Sequence, residues 1–248
     1  MPLSVVIITR DAGSQIGACL ASVDFADEKL IVDSGSVDDT LLIARSHGAR
    51  ILEQKWLGFG RQKQFAVDAA LNDWVLCLDA DEMVSEPLKL EILNELASPQ
   101  GTAYEMARCN RFLGRWLRHG EGYPDWSLRL FHRRHAHWSD DPVHEKVVSS
   151  GLARKLRGEL LHDSAESLEK YLEKQNRYTS LQAAQLMAAG RTAGVFRLLA
   201  SPALRFFKFY VIRLGFLDGL PGLIHVCIGC MNSFNKYAKL MAHSKMER

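Results

Sequence analysis

The chain of 248 residues is 47% hydrophobic and 24% charged, an ordinary globular balance that excludes wholesale disorder and suffices for one full core, or one core with an appendage. Its formal net charge of +2 conceals an asymmetry: residues 1–163 hold 19 Lys and Arg against 24 Asp and Glu, while residues 164–248 hold 12 against 5, so a stretch of charge −5 precedes one of +7. The cysteines, Cys19, Cys77, Cys109, Cys227 and Cys230, are odd in number, and strand-like residues begin at Leu3 where a secretory signal would lie; both favour a reducing cytoplasmic setting. No clean apolar run of about 18 residues occurs, since the best stretch, around 214–231, contains Asp218, Pro221 and His225, and a transmembrane helix is not expected.

In chain order, residues 3–9 (Leu-Ser-Val-Val-Ile-Ile-Thr) are short, β-branched and apolar, the pattern of a buried parallel strand. A helix is expected over 16–23 and a second strand over 29–33. Ser34-Gly35-Ser36 then makes a turn, with Asp38 and Asp39 as caps for a helix over 40–47. A third strand covers 50–53, Gly58 and Gly60 interrupt, a helix follows over 61–71, and Trp74-Val75-Leu76-Cys77-Leu78 leads as a fourth strand into Asp79-Ala80-Asp81-Glu82. Strands alternating with helices in this way imply an α/β fold with a doubly wound, mostly parallel sheet.

The apolar run that ends in three carboxylates is where chemistry is expected. Side chains two apart on an extended chain point the same way, so Asp79 and Asp81 share a face at the carboxyl end of a strand, where α/β proteins bind ligands. Crowded carboxylates repel unless a cation lies between them, and Mg²⁺ or Mn²⁺ takes oxygen ligands of this kind. Asp33, at another strand end beside a glycine turn, can accept hydrogen bonds from a nucleobase or ribose, or merely hold an Asx turn. Arg10 and Lys63 are cations suited to a pyrophosphate or to plain solvation.

The sequence resembles family 2 glycosyltransferases of the GT-A fold. It shares a first strand ending near Thr9, the signature Asp33-Ser34-Gly35-Ser36-Val37-Asp38-Asp39-Thr40, a glycine-rich, lysine-bearing segment Gly58-Phe59-Gly60-Arg61-Gln62-Lys63-Gln64, and Leu78-Asp79-Ala80-Asp81-Glu82, in that order. The resemblance implies a GT-A catalytic domain over 1–163, with a nucleotide-sugar-binding half (1–100) and an acceptor-binding half (101–163). Residues 164–248 then form a basic helical extension. It implies a nucleotide sugar held by Thr9, Arg10, Asp33, Lys63 and Asp79, and a metal, Mg²⁺ or Mn²⁺, on Asp81 with a late histidine, here His162.

Between 108 and 138 arginines alternate with aromatic rings, ingredients that suit an anionic saccharide and equally single-stranded nucleic acid or a plain basic surface. Tyr123-Pro124-Asp125-Trp126-Ser127-Leu128-Arg129-Leu130-Phe131 and Pro142-Val143-His144-Glu145-Lys146-Val147 are similar to acceptor-side motifs of a subgroup that adds glucose to the inner-core heptose of lipopolysaccharide or lipooligosaccharide. That resemblance implies UDP-glucose as donor, a lipid-linked anionic acceptor met by Arg108, Arg111, Trp126, Arg129 and His144, and no nucleic-acid partner. An inverting transfer needs one base, and Glu145 and Asp125 are the candidates, with Glu145 favoured.

Residues 165–190 read as a long helix. From Lys174 to Leu217 no acid occurs, while arginines and lysines interleave with Phe, Leu, Tyr and Ile. Such a stretch suits the anionic inner face of the cytoplasmic membrane, lying in the interface without crossing it, or a helix packed with snorkelling cations. Leu217 to Gly222 is expected to break the helix, with an apolar stretch to about Met231. Cys227-Ile228-Gly229-Cys230 lacks a second cysteine pair and is expected to pack in the interior. The rival readings are a nucleotidyltransferase, for which the loop after the first strand is too poor in glycine and cations, and a non-enzymatic membrane- or RNA-binding module, which gains nothing from acids at strand ends.

Overall fold

The computed structural model describes residues 1–141, 145–164 and 167–246. The chain divides into two compact units: Met1–Cys109 with Asp125–Asp163, and Asn110–Pro124 with the chain from Ser164 onward.

The first unit is built on β1 (Leu3–Thr9), β2 (Glu28–Asp33), β3 (Arg50–Glu53) and β4 (Trp74–Asp79), linked by α1 (Ile16–Ala21), α2 (Thr40–Ser46) and α3 (Phe59–Asp68). These four strands are parallel in the order β3-β2-β1-β4. The sheet is extended by β5 (Glu82–Val84), the first part of β6 (Ala103–Phe112), β8 (Asp125–His132) and β11 (Arg154–His162), in the order β4-β8-β6-β11-β5. β8 runs antiparallel to β4 and to β6, and β11 antiparallel to β5. A two-stranded ribbon of β9 (Ala136–Trp138) and β10 (Val147–Ser149) lies outside this sheet.

The period of two along each strand makes the core. Leu3, Val5 and Ile7 of β1, with Trp74, Leu76 and Leu78 of β4, belong to one buried cluster, whereas Val6, Ile8, Val75 and Cys77 belong to another. Strands apolar on both faces are what a sheet covered on both sides requires. α4 (Glu86–Ala97) starts at Ser85, whose hydroxyl accepts from the Leu88 N–H, and presses so tightly on β11 that a Cβ on Gly158 would collide with the Leu88 backbone.

Register positions the site. Thr9 pairs with Asp33 and Ile8 with Asp79, so the carboxyl ends of β1, β2 and β4 present Thr9, Asp33 and Asp79 along one edge. His162 pairs with Glu82, so β11 delivers its last residue beside the acidic run.

Several expected boundaries shift for local reasons. α1 stops at Ala21, with Ser22 as its C-cap and the Ser22 hydroxyl donating to the Cys19 carbonyl at 2.7 Å. α3 begins at Phe59, directly after Gly58 with φ of 95°, and ends at Asp68, short of 71. Asp39 occupies the N-cap position of α2 without a side-chain bond; Asp38 does the capping, accepting from the Thr40 N–H at 3.0 Å and from the Gly13 N–H at 2.9 Å.

The second unit holds β7 (Arg115–Trp116), paired with the end of β6, and three helices: α5 (Leu168–Ala188), α6 (Val195–Phe206) and α7 (Gly219–Met246). α5 is capped by Ser167 and ends two residues before the expected 190. A π-helical turn (Phe207–Ile212) and a 3-10 turn (Gly215–Asp218) join α6 to α7. The expected break therefore falls earlier, at Leu214 with φ of 56°, and α7 continues past Met231. Pro221 sits in the first turn of α7, where its missing N–H has no intrahelical partner to lose. Asp218 is buried and accepts from the His119 N–H at 2.8 Å and contacts its ring Nδ1 at 3.0 Å, which ties the 110–124 segment to the turn. Cys227 is exposed on α7, contrary to the interior packing expected of the cysteine pair.

Candidate active site

The strand-end residues fall into two groups. Thr9 is buried, its carbonyl accepts from the Ser34 N–H at 3.0 Å, and its hydroxyl oxygen has no partner among the described residues. Asp33 is equally buried and its carboxylate accepts from the Gly35 N–H, the Ser36 N–H and the Ser36 hydroxyl, the Asx-turn arrangement that holds Gly35 at φ of 102°. Arg10 is exposed, 3.6 Å from Asp11.

The second group is a buried charge network. Lys63, on α3, lies 3.0 Å from Asp79 and 3.8 Å from Glu145, with its ammonium 4.7 Å from the centre of the Trp138 ring. Arg129, on β8, is 5% exposed and donates to both Asp79 at 2.9 Å and Glu82 at 2.8 Å. Glu82 is fully buried, accepts from the Asp79 N–H at 2.9 Å, and has Arg108 at 3.7 Å. Burial alone would raise the Asp79 carboxyl, but Arg129 and Lys63 outweigh it and hold it well below the usual carboxylate range. Burial pushes the Glu82 carboxyl up, and pushes the Cys77 thiol to about 12.

A cavity of about 390 Å³ opens on this network, lined among others by Lys63, Asp79, Arg108, Trp126, Arg129 and Glu145. Trp126 is partly exposed, with the Lys155 ammonium 4.2 Å from its ring centre. Of the two carboxylates proposed as base, Glu145 lines the cavity, while Asp125 is gripped by Arg108 through Nε at 3.0 Å and NH2 at 2.8 Å. Arg129, expected as an acceptor contact, lines the cavity although it is largely buried, its Nη2 donating to both Asp79 and Glu82. Arg111 belongs to the second unit, its guanidinium 5.8 Å from the Trp116 ring centre. His144 lies outside the described residues. Glu82 is the member that sequence reasoning left without a role, and Trp138, expected as a ring for a saccharide, instead lies under Lys63 and Arg129; three acids within four residues, Asp79, Asp81 and Glu82, were the available signal that buried cations must lie nearby.

Asp81 and His162 are brought together, with Oδ2 of the aspartate 3.2 Å from Nε2 of the histidine and both side chains partly open to solvent. Among the described residues no group of three or more His, Cys, Asp or Glu side chains gathers as a ligand set. An oxygen and an imidazole nitrogen suit a divalent ion that takes its remaining ligands from water and a substrate phosphate, so these two residues fit Mg²⁺ or Mn²⁺.

Carboxylates at the ends of parallel strands, buried Asp33 and half-buried Asp79, mark the edge where α/β proteins bind ligands. The chain belongs to glycosyl transferase family 2, whose profile matches residues 4–156. Its fold is α/β, with a C-terminal helical region. An uncharacterised glycosyltransferase of Rickettsia typhi is 32% identical over 259 residues, covering 99% of this chain and 89% of the relative. The lipopolysaccharide core biosynthesis glycosyltransferase LpsC of Rhizobium meliloti is 30% identical over 249 residues, covering 97% of this chain and 92% of the relative. Among solved structures, glucosyl-3-phosphoglycerate synthase of Mycobacterium tuberculosis, with Mn²⁺, UDP-glucose and phosphoglyceric acid, is similar at a TM-score of 0.40 and 21% identity, covering 54% of this chain and 57% of that one.

Proposed function

We propose that this glycosyltransferase moves glucose from UDP-glucose onto an inner-core heptose of lipopolysaccharide, with inversion at the transferred carbon, at the inner face of the cytoplasmic membrane. The observation that carries the chemistry is the convergence of Lys63, Asp79, Arg129 and Glu145 on one cavity. The acceptor rests on the similarity to LpsC along nearly the whole chain.

In this reading Glu145 takes the proton of the acceptor hydroxyl as that oxygen bonds to the sugar's anomeric carbon. The bond from that carbon to the diphosphate breaks on the opposite face, and UDP leaves with the electron pair. Lys63 lies 3.8 Å from Glu145, and the same ammonium, 3.0 Å from Asp79, orients that carboxylate toward the donor. Arg129 cannot move without exposing two acids, so it keeps Asp79 in place. Trp126 offers a ring face for an acceptor sugar and Arg108 a cation at the cavity wall. Asp81 and His162 would hold the divalent ion, which neutralises the departing diphosphate when bound. Membrane placement is supported by the second unit, where Phe196, Leu199, Phe207 and Ile212 are exposed among Arg197, Lys208 and Arg213.

The test is UDP release by purified protein from UDP-glucose, alongside other UDP-, GDP- and ADP-sugars. Turnover of UDP-glucose that EDTA abolishes, Mn²⁺ restores and Asp81→Asn eliminates is expected. Absence of both hydrolysis and nucleotide-dependent thermal shift with every donor would overturn the reading.

A further inference from the structure

Within the second unit, α5 and α7 present matching polar stripes. On α5 these are Tyr171, Gln175, Tyr178, Thr179 and Gln182, and on α7 they are His225, Gly229, Asn232, Ser233 and Lys236. Both sets step by four, three, one and three residues, the spacing that marks one face of a helix. Helices that pack only to bury each other place apolar side chains at those positions. Here the two faces enclose a cavity of about 270 Å³.

Part of the seam is internally satisfied. The Tyr171 hydroxyl lies 3.2 Å from His225 Nε2, the Asn232 side-chain amide donates to Gln175 Oε1 at 2.8 Å, and the Ser233 and Ser201 hydroxyls are 2.7 Å apart. Arg205 is ion-paired to Glu121, and a Cβ on Gly229 would collide with that pair, so the glycine lets it seat against α7. Lys236, Tyr178 and Gln182 also line the cavity. Among the described residues Lys236 meets no carboxylate and is seen only over the neighbouring Tyr237 ring, at 4.7 Å. With Glu121 and Arg205 cancelling, the lining carries a formal charge of +1.

We infer that this cavity is a second binding site, separate from the donor site, for a hydroxylated anion, such as a sugar phosphate or a sugar acid, free or as the headgroup of a lipid. Amides and hydroxyls on two walls match a polyol's alternating donors and acceptors, tyrosine rings supply flat faces, and a lysine supplies a point charge for an anion. The volume lies just below the roughly 300 Å³ at which pockets for larger ligands begin, so one sugar ring fits and a longer saccharide would protrude.

The experiment uses the full chain and isothermal calorimetry with glucose 6-phosphate, glucuronate, glucose and inorganic phosphate, and sedimentation with phosphatidylglycerol vesicles. A free ligand is the source if glucose 6-phosphate or glucuronate binds at least tenfold more tightly than glucose or phosphate. That affinity should fall at least tenfold in both Lys236→Met and Tyr178→Ala. A lipid headgroup is the source if only the vesicles bind and Lys236→Met weakens them more than Lys208→Met, which removes the same charge elsewhere on the unit. Asp81→Asn must leave this binding unchanged, which separates the inference from the donor-site reading. Binding that is equal in Lys236→Met and the parent chain, binding of phosphate alone as tightly as sugar phosphate, or no binding of any probe would overturn it.

Discussion

Arg129 keeps a full charge with almost no access to water, and its value to the protein lies in what its loss would leave behind. Asp79 and Glu82 both depend on it, and removing one partner of a buried ion pair typically costs about 3–5 kcal/mol because the other charge stays desolvated. Arg129→Met is expected to lower unfolding stability by an amount in that range, read from urea titration, whereas Arg111→Met should change it by less than about 1 kcal/mol. Asp79 sets the acid limit of the same network. Its folded-state carboxyl lies below the ordinary value of about 3.9, so its contribution is complete above that value and is lost as pH falls through and below it. Unfolding followed from pH 6 to pH 2 should therefore show a loss that Asp79→Asn reduces. For catalysis, Glu145→Gln should lower kcat by about 10²–10⁴ with little change in KM, the usual yield of one general base. Asp125→Asn should leave kcat within about tenfold and act on stability through the released Arg108. Asp79 and Asp81 stand out in sequence as acids after an apolar run, but β4 ends at Asp79 and Ala80-Asp81 is a turn, so the expected shared face is not kept: Asp79 joins Lys63 and Arg129 while Asp81 meets His162. Glu82 was not legible, since its partners arrive from β6 and β8, and the local string reads as a turn.

At the scale of elements, the parallel half of the sheet was readable from β-branched runs and turn residues, each strand lying within one or two residues of its expected span. The antiparallel strands were harder, because β8 mixes buried Leu130 and Phe131 with Asp125, Trp126 and Arg129, and its alternation makes sense only once the charge network is known. The C-terminal helices were misjudged at their joints: Leu214 in the left-handed region makes the break, which no proline or glycine at that position announced. Close approaches of backbone were likewise invisible in sequence. Gly158 lets β11 lie against Leu88 of α4, so Gly158→Ala must part strand and helix or distort both, at a cost typical of overpacking, about 1–3 kcal/mol. At Gly60 a Cβ would meet the Ser139 carbonyl, with Glu145 Cβ 3.4 Å away. Gly60→Ala is expected to reduce kcat for UDP-glucose more than tenfold, because α3 carries Lys63 and the displaced neighbour carries the proposed base. Comparing circular dichroism melting with turnover for the two variants separates the cases: Gly158→Ala should lose mainly melting temperature, Gly60→Ala mainly rate.

At the scale of the whole molecule, the charge asymmetry read from the sequence finds its place in the helical unit, which also bears exposed apolar side chains. Phe196 is 85% exposed, Ile212 63% and Leu220 67%, more than scattered surface leucines would explain. No single helix among the described residues is long and apolar enough to cross a bilayer, although the pair Val195–Ile212 and Gly215–His243, bent by 73°, meets that test jointly. In-plane association needs both an apolar face and cations, and the two can be separated experimentally. Vesicles containing phosphatidylglycerol should bind the chain more tightly than phosphatidylcholine vesicles, and raising salt toward 1 M, where the screening length shrinks to about 3 Å, should remove most of that preference. Phe196→Ser with Ile212→Ser should weaken binding to both kinds of vesicle by about tenfold or more, since burying a single such side chain is worth about 1.5–3 kcal/mol and 1.4 kcal/mol is a factor of ten. The same double variant should keep its hydrolysis of UDP-glucose, because neither residue belongs to the unit that holds Lys63, Asp79 and Glu145. Vesicle binding that resists both salt and the apolar substitutions would mean that this face of the second unit does not meet lipid, and the membrane placement would fall while the transfer chemistry stood.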